Sequence, residues 1–153
     1  MKIAAENQGL QIKIRFSPRE IGLNAIFEKK TGIHAQVILD FEQHIFFFVN
    51  AEHFRQAIGD HFQNLHVFSI LFKKRVHIIK FSPNPINLMK YCFPSIQIGD
   101  PEVRIDGNQK EMTIFLDPSL KGIVRGTDGH YLQLLNQIFA RLFNIKKVSI
   151  EII

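Results

Sequence analysis

Hydrophobic residues recur at helical spacing in three stretches of the chain. The first begins at Ser17-Pro18-Arg19-Glu20, where Ser17 and Glu20 form a capping box and Pro18 suits the first helical position, and it stops before Gly32. The second runs from about residue 62 to residue 72, and the third from about residue 130 to residue 143. These stripes predict amphipathic helices that each bury one face. The predicted buried faces consist of Ile21, Leu23, Ile26 and Phe27 in the first helix, Leu65, Phe68, Leu71 and Phe72 in the second, and Leu132, Leu135, Ile138, Phe139, Leu142 and Phe143 in the third.

Shorter stretches rich in β-branched and aromatic residues predict strands between these helices. In the first half they are residues 35–40, 44–50 and 76–81, and in the second half residues 96–105, 112–116 and 147–153. The sequence Asp106-Gly107-Asn108 supplies a turn between two strands of the second half. Short helices are expected at residues 51–58 and 85–92 and from residue 117. The chain is therefore predicted to belong to the α+β class.

The order of these elements repeats along the chain. A shift of 67 residues pairs residues 45–50 with 112–117, Gly59 with Gly126, and Leu65 with Leu132. Such repetition indicates one structural unit used twice. The clearest break lies at Ser82-Pro83-Asn84-Pro85. We therefore predict two domains, residues 1–82, which include an N-terminal segment 1–16, and residues 83–153.

A glycine-rich turn precedes the last helix of each unit. In the second unit it is Gly126-Thr127-Asp128-Gly129, and in the first it is Gly59-Asp60-His61-Phe62, in which phenylalanine replaces the second glycine. A short Gly-x-x-Gly between two helices lets backbone N–H groups approach a nucleic-acid backbone. Alternatively, both turns merely connect helices. Phe62 is expected either to avoid a positive φ angle or to change the shape of its turn.

Three further motifs resemble one family. They are Phe27-Glu28-Lys29-Lys30-Thr31-Gly32 at the end of the first helix, the junction Phe81-Ser82-Pro83-Asn84-Pro85, and the segment Asp117–Ile123 that leads into the second turn. Together with the order of the elements, they resemble the archaeal NusA-like transcription factors, which contain two type II KH domains. The resemblance covers roughly residues 12–152. The bacterial relatives carry an additional N-terminal domain and an oligonucleotide-binding barrel, for which 153 residues are too few, so the archaeal type is expected.

The resemblance implies two tandem type II KH domains, each a three-stranded mixed sheet with helices packed on one face. It also implies that the turns and their flanking cations bind RNA, through Arg55, Gly59, Asp60, His61 and Phe62 in the first unit and Lys121, Arg125, Gly126, Thr127, Asp128, Gly129 and His130 in the second. Asp60 and Asp128 place a negative charge near the phosphates, at a cost on the order of 1 kcal/mol. We expect weaker binding than in a fully preserved pair, especially at the first turn.

Charge and composition agree with such a role without demonstrating it. The net charge is +5, and the basic runs Lys73-Lys74-Arg75 and Lys146-Lys147 either contact phosphates or form solvated ends of helices. Cys92 is the only cysteine, the seven histidines show no ligand spacing, and no catalytic or nucleotide-binding motif is present. We therefore expect no metal, no cofactor and no enzymatic activity. The absence of a long apolar run and of a signal sequence leads us to expect a cytoplasmic protein that is not bound to a membrane.

The function expected from the resemblance is single-stranded RNA binding in transcription elongation and termination. RNA polymerase is the expected protein partner, and the chain is expected to be a monomer. The alternative is a KH-fold module that binds RNA polymerase or the ribosome through protein contacts and has weakened RNA affinity. Asp60, Asp128 and the missing glycine of the first turn favour this alternative.

Overall fold

The structure is a computed structural model that describes residues 16–94, 98–120 and 130–153. The chain divides into two compact units, of which the first ends at Ser82 and the second begins at Pro83. Residues 1–15 of the predicted N-terminal segment lie outside the described residues.

The first unit is a three-stranded sheet with three helices. Its strands lie in the order β1-β2-β3, with β1 and β2 antiparallel and β2 and β3 parallel. Two 3-10 turns, residues 51–53 and 60–62, lie on either side of α2. The elements are α1 (Pro18–Thr31), β1 (Val37–Asp40), β2 (His44–Val49), α2 (Phe54–Ile58), α3 (Gln63–Phe72) and β3 (Arg75–Lys80).

The second unit repeats this arrangement. Its strands lie in the order β4-β5-β6, again with an antiparallel pair followed by a parallel pair. Its elements are α4 (Pro85–Tyr91), β4 (Glu102–Asp106), β5 (Gln109–Leu116), a 3-10 turn at residues 118–120, α5 (His130–Phe143) and β6 (Ile145–Ile152). The last helix of each unit, α3 in the first and α5 in the second, begins 67 residues apart from its counterpart, which is the shift read from the sequence. The predicted α+β fold of tandem type II KH domains is confirmed.

Helix α1 begins and ends as predicted, but its buried face differs. Ser17 Oγ accepts a hydrogen bond from the amide of Glu20 at 3.2 Å, and the Glu20 carboxylate accepts one from the amide of Ser17 at 2.8 Å. Gly32 ends the helix in the left-handed conformation, with φ of 76°. The prediction that Ile21 and Ile26 are buried is wrong, since they are 58% and 43% exposed.

Polar residues fill part of the α1 face that the sequence pattern assigned to isoleucine. The buried residues follow a spacing of three and four from the capping-box glutamate. Asn24 is among them because its side chain bonds both backbone groups of Ala35, accepting from the amide at 3.1 Å and donating to the carbonyl at 3.4 Å. The buried positions are Glu20, Leu23, Asn24, Phe27 and Thr31.

Stacked phenylalanines form the core between the first sheet and its helices. Phe27 of α1 lies on Phe47 of β2 with ring centroids 4.3 Å apart, and Phe68 of α3 lies 5.4 Å from Phe27. Phe72 packs at the edge of this core. Leu71 is 56% exposed, so its predicted place on the buried face is wrong. The core contacts hold α1 and α3 on one face of the sheet.

The opposite face of the first sheet carries a stacked pair of histidines. Side chains alternate between the faces of a strand, so Phe46 points away from the helices that Phe47 contacts. His77 of β3 lies parallel to the Phe46 ring at 4.3 Å, and His44 Nδ1 lies 2.9 Å from His77 Nε2. Burial, and then the charges of His44 and Arg75, lower the pKa of His77 from 6.5 to about 4.

Helix α5 covers the second sheet with an almost continuous apolar face. Asn136 interrupts that face and bonds β6 on both sides, since it accepts from the amide of Val148 at 2.8 Å and donates to its carbonyl at 3.1 Å. The buried residues of α5 are Leu134, Leu135, Ile138, Phe139, Leu142 and Phe143, and Met112, Ile114 and Leu116 face them from alternate positions of β5.

The first strand of the second unit is shorter than predicted. In the described part of the chain it begins at Glu102 rather than at residue 96. Pro101 precedes it and has no N–H group to donate to a neighbouring strand, which accounts for the later start. Residues 95–97 lie outside the described residues. The turn at Gly107 and Asn108 is confirmed, because Asp106 and Gln109 are paired across it.

Candidate nucleic-acid interface

The first candidate turn joins α2 to α3. Gly59 ends α2 by donating its backbone N–H to the carbonyl of Arg55 at 3.1 Å, one helical turn earlier. Its φ angle is 74° and its ψ angle −179°, a backbone conformation that residues with a side chain rarely adopt. The turn therefore depends on glycine at its first position.

Packing imposes a second requirement on Gly59. The side chain of Asn64, at the start of α3, is buried and donates to the carbonyl of Ala57 at 2.9 Å, which ties α3 to α2. A Cβ atom on Gly59 would lie 3.0 Å from the Asn64 amide nitrogen. Sequence reasoning missed Asn64; the available signal was a polar residue just after a glycine turn, at the start of an apolar helix.

Two residues with side chains adopt the left-handed conformation in this turn. His61 has φ 53° and ψ 36°, and Phe62 has φ 59° and ψ 26°. Of the two outcomes expected for Phe62, a backbone that avoids a positive φ is excluded. Each left-handed residue other than glycine costs about 1–2 kcal/mol. The first unit thus keeps a glycine-like backbone where the sequence has lost a glycine.

The start of α3 lacks a side-chain cap in the described residues, although the amide of Gln63 donates to the carbonyl of Asp60. The first amides of a helix have no partner within the helix, and in the described chain no side-chain cap closes the start at Gly59 or at Phe62. Asp60, His61 and Phe62 are all exposed. Asp60 brings its carboxylate to the same place as the amides, so an anion that approaches them also meets a negative charge. Arg55 is exposed one turn before Gly59 and supplies the nearest cation in sequence.

One lysine of the basic run after α3 is occupied by a structural ion pair. Lys74 Nζ lies 2.9 Å from Asp40 Oδ1 and 2.9 Å from the carbonyl of Phe41, and Arg19 pairs with the other oxygen of Asp40. Partial burial alone would raise the pKa of Asp40, but the hydrogen bonds and charges of Lys74 and Arg19 outweigh it and hold that pKa below its usual value. Lys73 and Arg75 are exposed.

The second candidate turn falls almost entirely outside the described residues. The predicted site residues that lie outside the described ranges are Lys121, Arg125, Gly126, Thr127, Asp128 and Gly129. His130 is described and is the exposed first residue of α5. The Tyr131 hydroxyl donates to the carbonyl of Cys92, and the Tyr131 ring meets Phe93 edge-on at 5.5 Å. The start of α5 is thereby fixed to the end of α4.

Before the second turn, Asp117 caps the short 3-10 turn at residues 118–120. Its carboxylate accepts hydrogen bonds from the amide of Ser119 at 3.0 Å and from the Ser119 hydroxyl at 2.7 Å. These bonds lower the pKa of Asp117. Within the described ranges, no group of three or more His, Cys, Asp or Glu side chains is placed to hold a metal ion. No helix in the same ranges is long and apolar enough to cross a bilayer.

Similarity to curated proteins identifies the relatives of this chain. No protein-family model matches it. A protein of Methanococcus vannielii, named "Probable transcription termination protein NusA", is 24% identical over 139 residues, which are 91% of this chain and 80% of that protein. A Methanocaldococcus jannaschii protein of the same name is 25% identical over 138 residues, which are 90% of this chain and 75% of that protein. Over about nine tenths of its length, the chain is similar to these archaeal NusA proteins.

The fold of the NusA-like chain also occurs in a solved structure. The crystal structure of APE1850 matches it with a TM-score of 0.82 and 22% sequence identity, over 89% of this chain and the whole of that one. At this identity the match shows the shared fold. The resemblance inferred from the three motifs and the order of the elements is confirmed.

Proposed function

We propose that the NusA-like chain binds single-stranded RNA through its two helix-connecting turns and acts in transcription elongation and termination beside RNA polymerase. The name of both curated relatives supports the transcriptional role. The observation that carries RNA binding is the backbone of the first turn, where uncapped amides follow a glycine that packing and backbone conformation both require. We propose a binding role rather than a catalytic one, for a monomer in the cytoplasm.

In this proposal the two turns contribute unequally. Phosphate oxygens accept from the turn amides, and bases lie along the adjacent apolar surface. At the first turn the carboxylate of Asp60 opposes the phosphate and Arg55 partly offsets it. The second turn has both glycines in its sequence, Gly126 and Gly129, together with Arg125 and Lys121. It is the principal site in the proposal.

A binding titration tests the RNA-binding proposal. Fluorescence anisotropy of a labelled, unstructured RNA is measured over a salt series for the wild type, Gly126→Asp and Gly59→Asp. Gly107→Asp is the matched control, because Gly107 also has a positive φ, 64°, but lies in the β4–β5 hairpin. We expect the Gly126 change to weaken binding most, the Gly59 change less and the Gly107 change least. Weak RNA affinity that changes neither with salt concentration nor with the turn substitutions would contradict the proposal.

A transcription assay tests the second part of the proposal. Archaeal RNA polymerase is run on a template with a terminator, with and without the chain, and the terminated fraction is measured. We expect the wild type to change that fraction and Gly126→Asp to lose the effect. An equal effect of both proteins would separate any transcriptional role from RNA binding at the second turn.

A protein-interaction module is the second candidate function. Ile70 and Leu71, adjacent residues near the end of α3, are 66% and 56% exposed, which is typical of a surface that contacts another protein when such residues cluster. Recovery of RNA polymerase or ribosomes by the tagged chain after nuclease treatment, with no measurable RNA affinity, would favour this candidate. Loss of the recovered partner on nuclease treatment would favour RNA binding.

A further inference from the structure

Phe62 differs from every other phenylalanine of the chain in its exposure. All 15 phenylalanines lie in the described ranges, and 14 of them are buried or half-buried. Phe62 is 62% exposed and lies at the end of the first turn. In the described part of the chain, no aromatic ring stacks on it. Its ring therefore adds little to the core of the first unit.

The backbone at Phe62 makes this exposure more informative. A phenylalanine with φ of 59° is strained where glycine is free of strain, and an exposed ring returns little packing energy. Such strain persists when the surroundings impose it, and here Gly59 and Asn64 fix the turn. The fold therefore holds an aromatic ring in solvent, beside uncapped backbone amides, at a net cost to its own stability.

We infer that Phe62 is a stacking platform for one RNA base at the first turn, an inference that rests on the proposed RNA-binding function. A phenyl ring stacks on the face of any base, so this contact needs no particular sequence. Unlike a phosphate contact, stacking is not opposed by the carboxylate of Asp60, two residues away. The first unit would then hold a base where its charge disfavours a phosphate, and the replacement of glycine by phenylalanine changes what the turn binds.

The test uses the full chain and an unstructured RNA of about twelve nucleotides. Phe62→Leu removes the aromatic face but keeps an apolar side chain, and Phe62→Trp keeps an aromatic face. Asn144→Gly is the matched control, because it relieves another exposed left-handed residue, with φ of 55°, that lies outside both turns. We expect Phe62→Leu to weaken binding about tenfold, while Phe62→Trp and Asn144→Gly bind as tightly as the wild type.

Two further measurements distinguish stacking from a structural role. Phe62→Gly should raise the melting temperature, because it removes strain, and yet weaken binding about tenfold. Abasic nucleotides placed at successive RNA positions should reveal one position where loss of the base weakens wild-type binding but does not weaken Phe62→Leu further. Losses from the abasic site and from Phe62→Leu that simply add would overturn the inference.

The outcomes also separate this inference from the proposed function. RNA affinity that falls in the Gly126 variant but is unchanged in the Phe62 variants overturns the inference of a stacking platform and leaves the proposed function intact. A wild-type chain that binds no RNA at any salt concentration overturns both. Phe62 variants that keep full RNA affinity but lose a protein partner assign the ring to protein docking and overturn the inference.

Discussion

At the scale of single residues, the first turn depends on one glycine and one asparagine. Gly59 needs its positive φ, and Asn64 occupies the space that a side chain at position 59 would need. The two requirements come from different sources, one from the backbone and one from packing. Both disfavour a side chain at position 59, so any replacement of Gly59 is destabilising for two reasons.

We predict that Gly59→Ala lowers the free energy of unfolding by about 1–3 kcal/mol, because it adds backbone strain and displaces Asn64. Gly22→Ala is the matched control. Gly22 lies inside α1 with nothing within 4 Å of an added Cβ, so alanine should raise the free energy of unfolding by about 0.5–1 kcal/mol. Urea unfolding followed by circular dichroism measures both. Equal effects of the two substitutions would contradict this account of the turn.

A second prediction at this scale concerns His77 and pH. Well above pH 6.5 the imidazole of His77 is neutral in both the folded and the unfolded chain. As the pH falls from 6.5 towards about 4, the unfolded chain binds a proton that the folded chain does not, so stability falls. We expect a loss of about 2 kcal/mol between pH 7 and about pH 5. His77→Gln should reduce this loss, whereas substitution of the exposed His53 by glutamine should not.

At the scale of elements, the two units use the same device to join a helix to its neighbouring backbone. Asn24 of α1 bonds both backbone groups of Ala35, and Asn136 of α5 bonds both backbone groups of Val148. Helices α3 and α5 also end alike, because Lys73 and Asn144 take left-handed conformations just before β3 and β6. Each of these two helices therefore turns into its parallel strand through a single left-handed residue.

We predict that Asn136→Ala destabilises the second unit by about 2–3 kcal/mol, because it leaves the amide and carbonyl of Val148 without their partner. Gln137→Ala, on the exposed side of the same helix, should change stability by less than about 0.5 kcal/mol. The free energy of unfolding in urea is the measurement. A comparable loss from both substitutions would mean that the helix, and not the hydrogen bonds of Asn136, is affected.

Local chemistry explains which elements could be predicted from sequence. Ser17, Glu20 and Gly32 determine the ends of α1 through their own backbone contacts, so the sequence shows them directly. The exposure of Ile21 and Ile26 depends instead on which face the rest of the fold covers, and Asn24 bonds to Ala35 on that face. Patterns within one helix cannot report such a distant partner.

The candidate site, too, could be predicted only in part from the sequence. The position of the Gly59 turn followed from its glycine and from the repeat. The left-handed backbone of His61 and Phe62 and the role of Asn64 did not, because they arise when α2 and α3 pack against each other. The part that sequence could not supply is the part that makes the first turn differ from a simple glycine loop.

At the scale of the whole molecule, the excess of positive charge is small, and some of the cations are already paired with carboxylates of the protein. The chain has 19 Lys and Arg against 14 Asp and Glu. Lys74 and Arg19 both pair with Asp40, and Lys90 and Arg104 pair with Asp100 and Glu102. Phosphate contacts must come mainly from cations outside such pairs. Net charge alone is therefore a poor guide to where RNA binds.

We predict that two substitutions, each of which removes one positive charge, differ in their effect on the salt dependence of RNA binding. Arg55→Gln should flatten the plot of log affinity for single-stranded RNA against log salt concentration by about 0.7, the loss of one phosphate contact. Lys74→Gln should leave the slope unchanged, because Lys74 is paired with Asp40. Anisotropy titrations at several salt concentrations measure both slopes. Equal flattening would mean that the RNA responds to overall charge rather than to the first turn.

The burial of Cys92 has a practical consequence for mapping the RNA path. Only the thiolate of a cysteine reacts readily, and burial raises the pKa of Cys92 to about 12 and keeps it from solvent. Cys92 is the only cysteine in the sequence. A cysteine introduced at His61 would therefore react selectively with a maleimide photocrosslinker in an otherwise native background. The unmodified chain would serve as its own blank, and the crosslinked nucleotide would be the one beside the first turn.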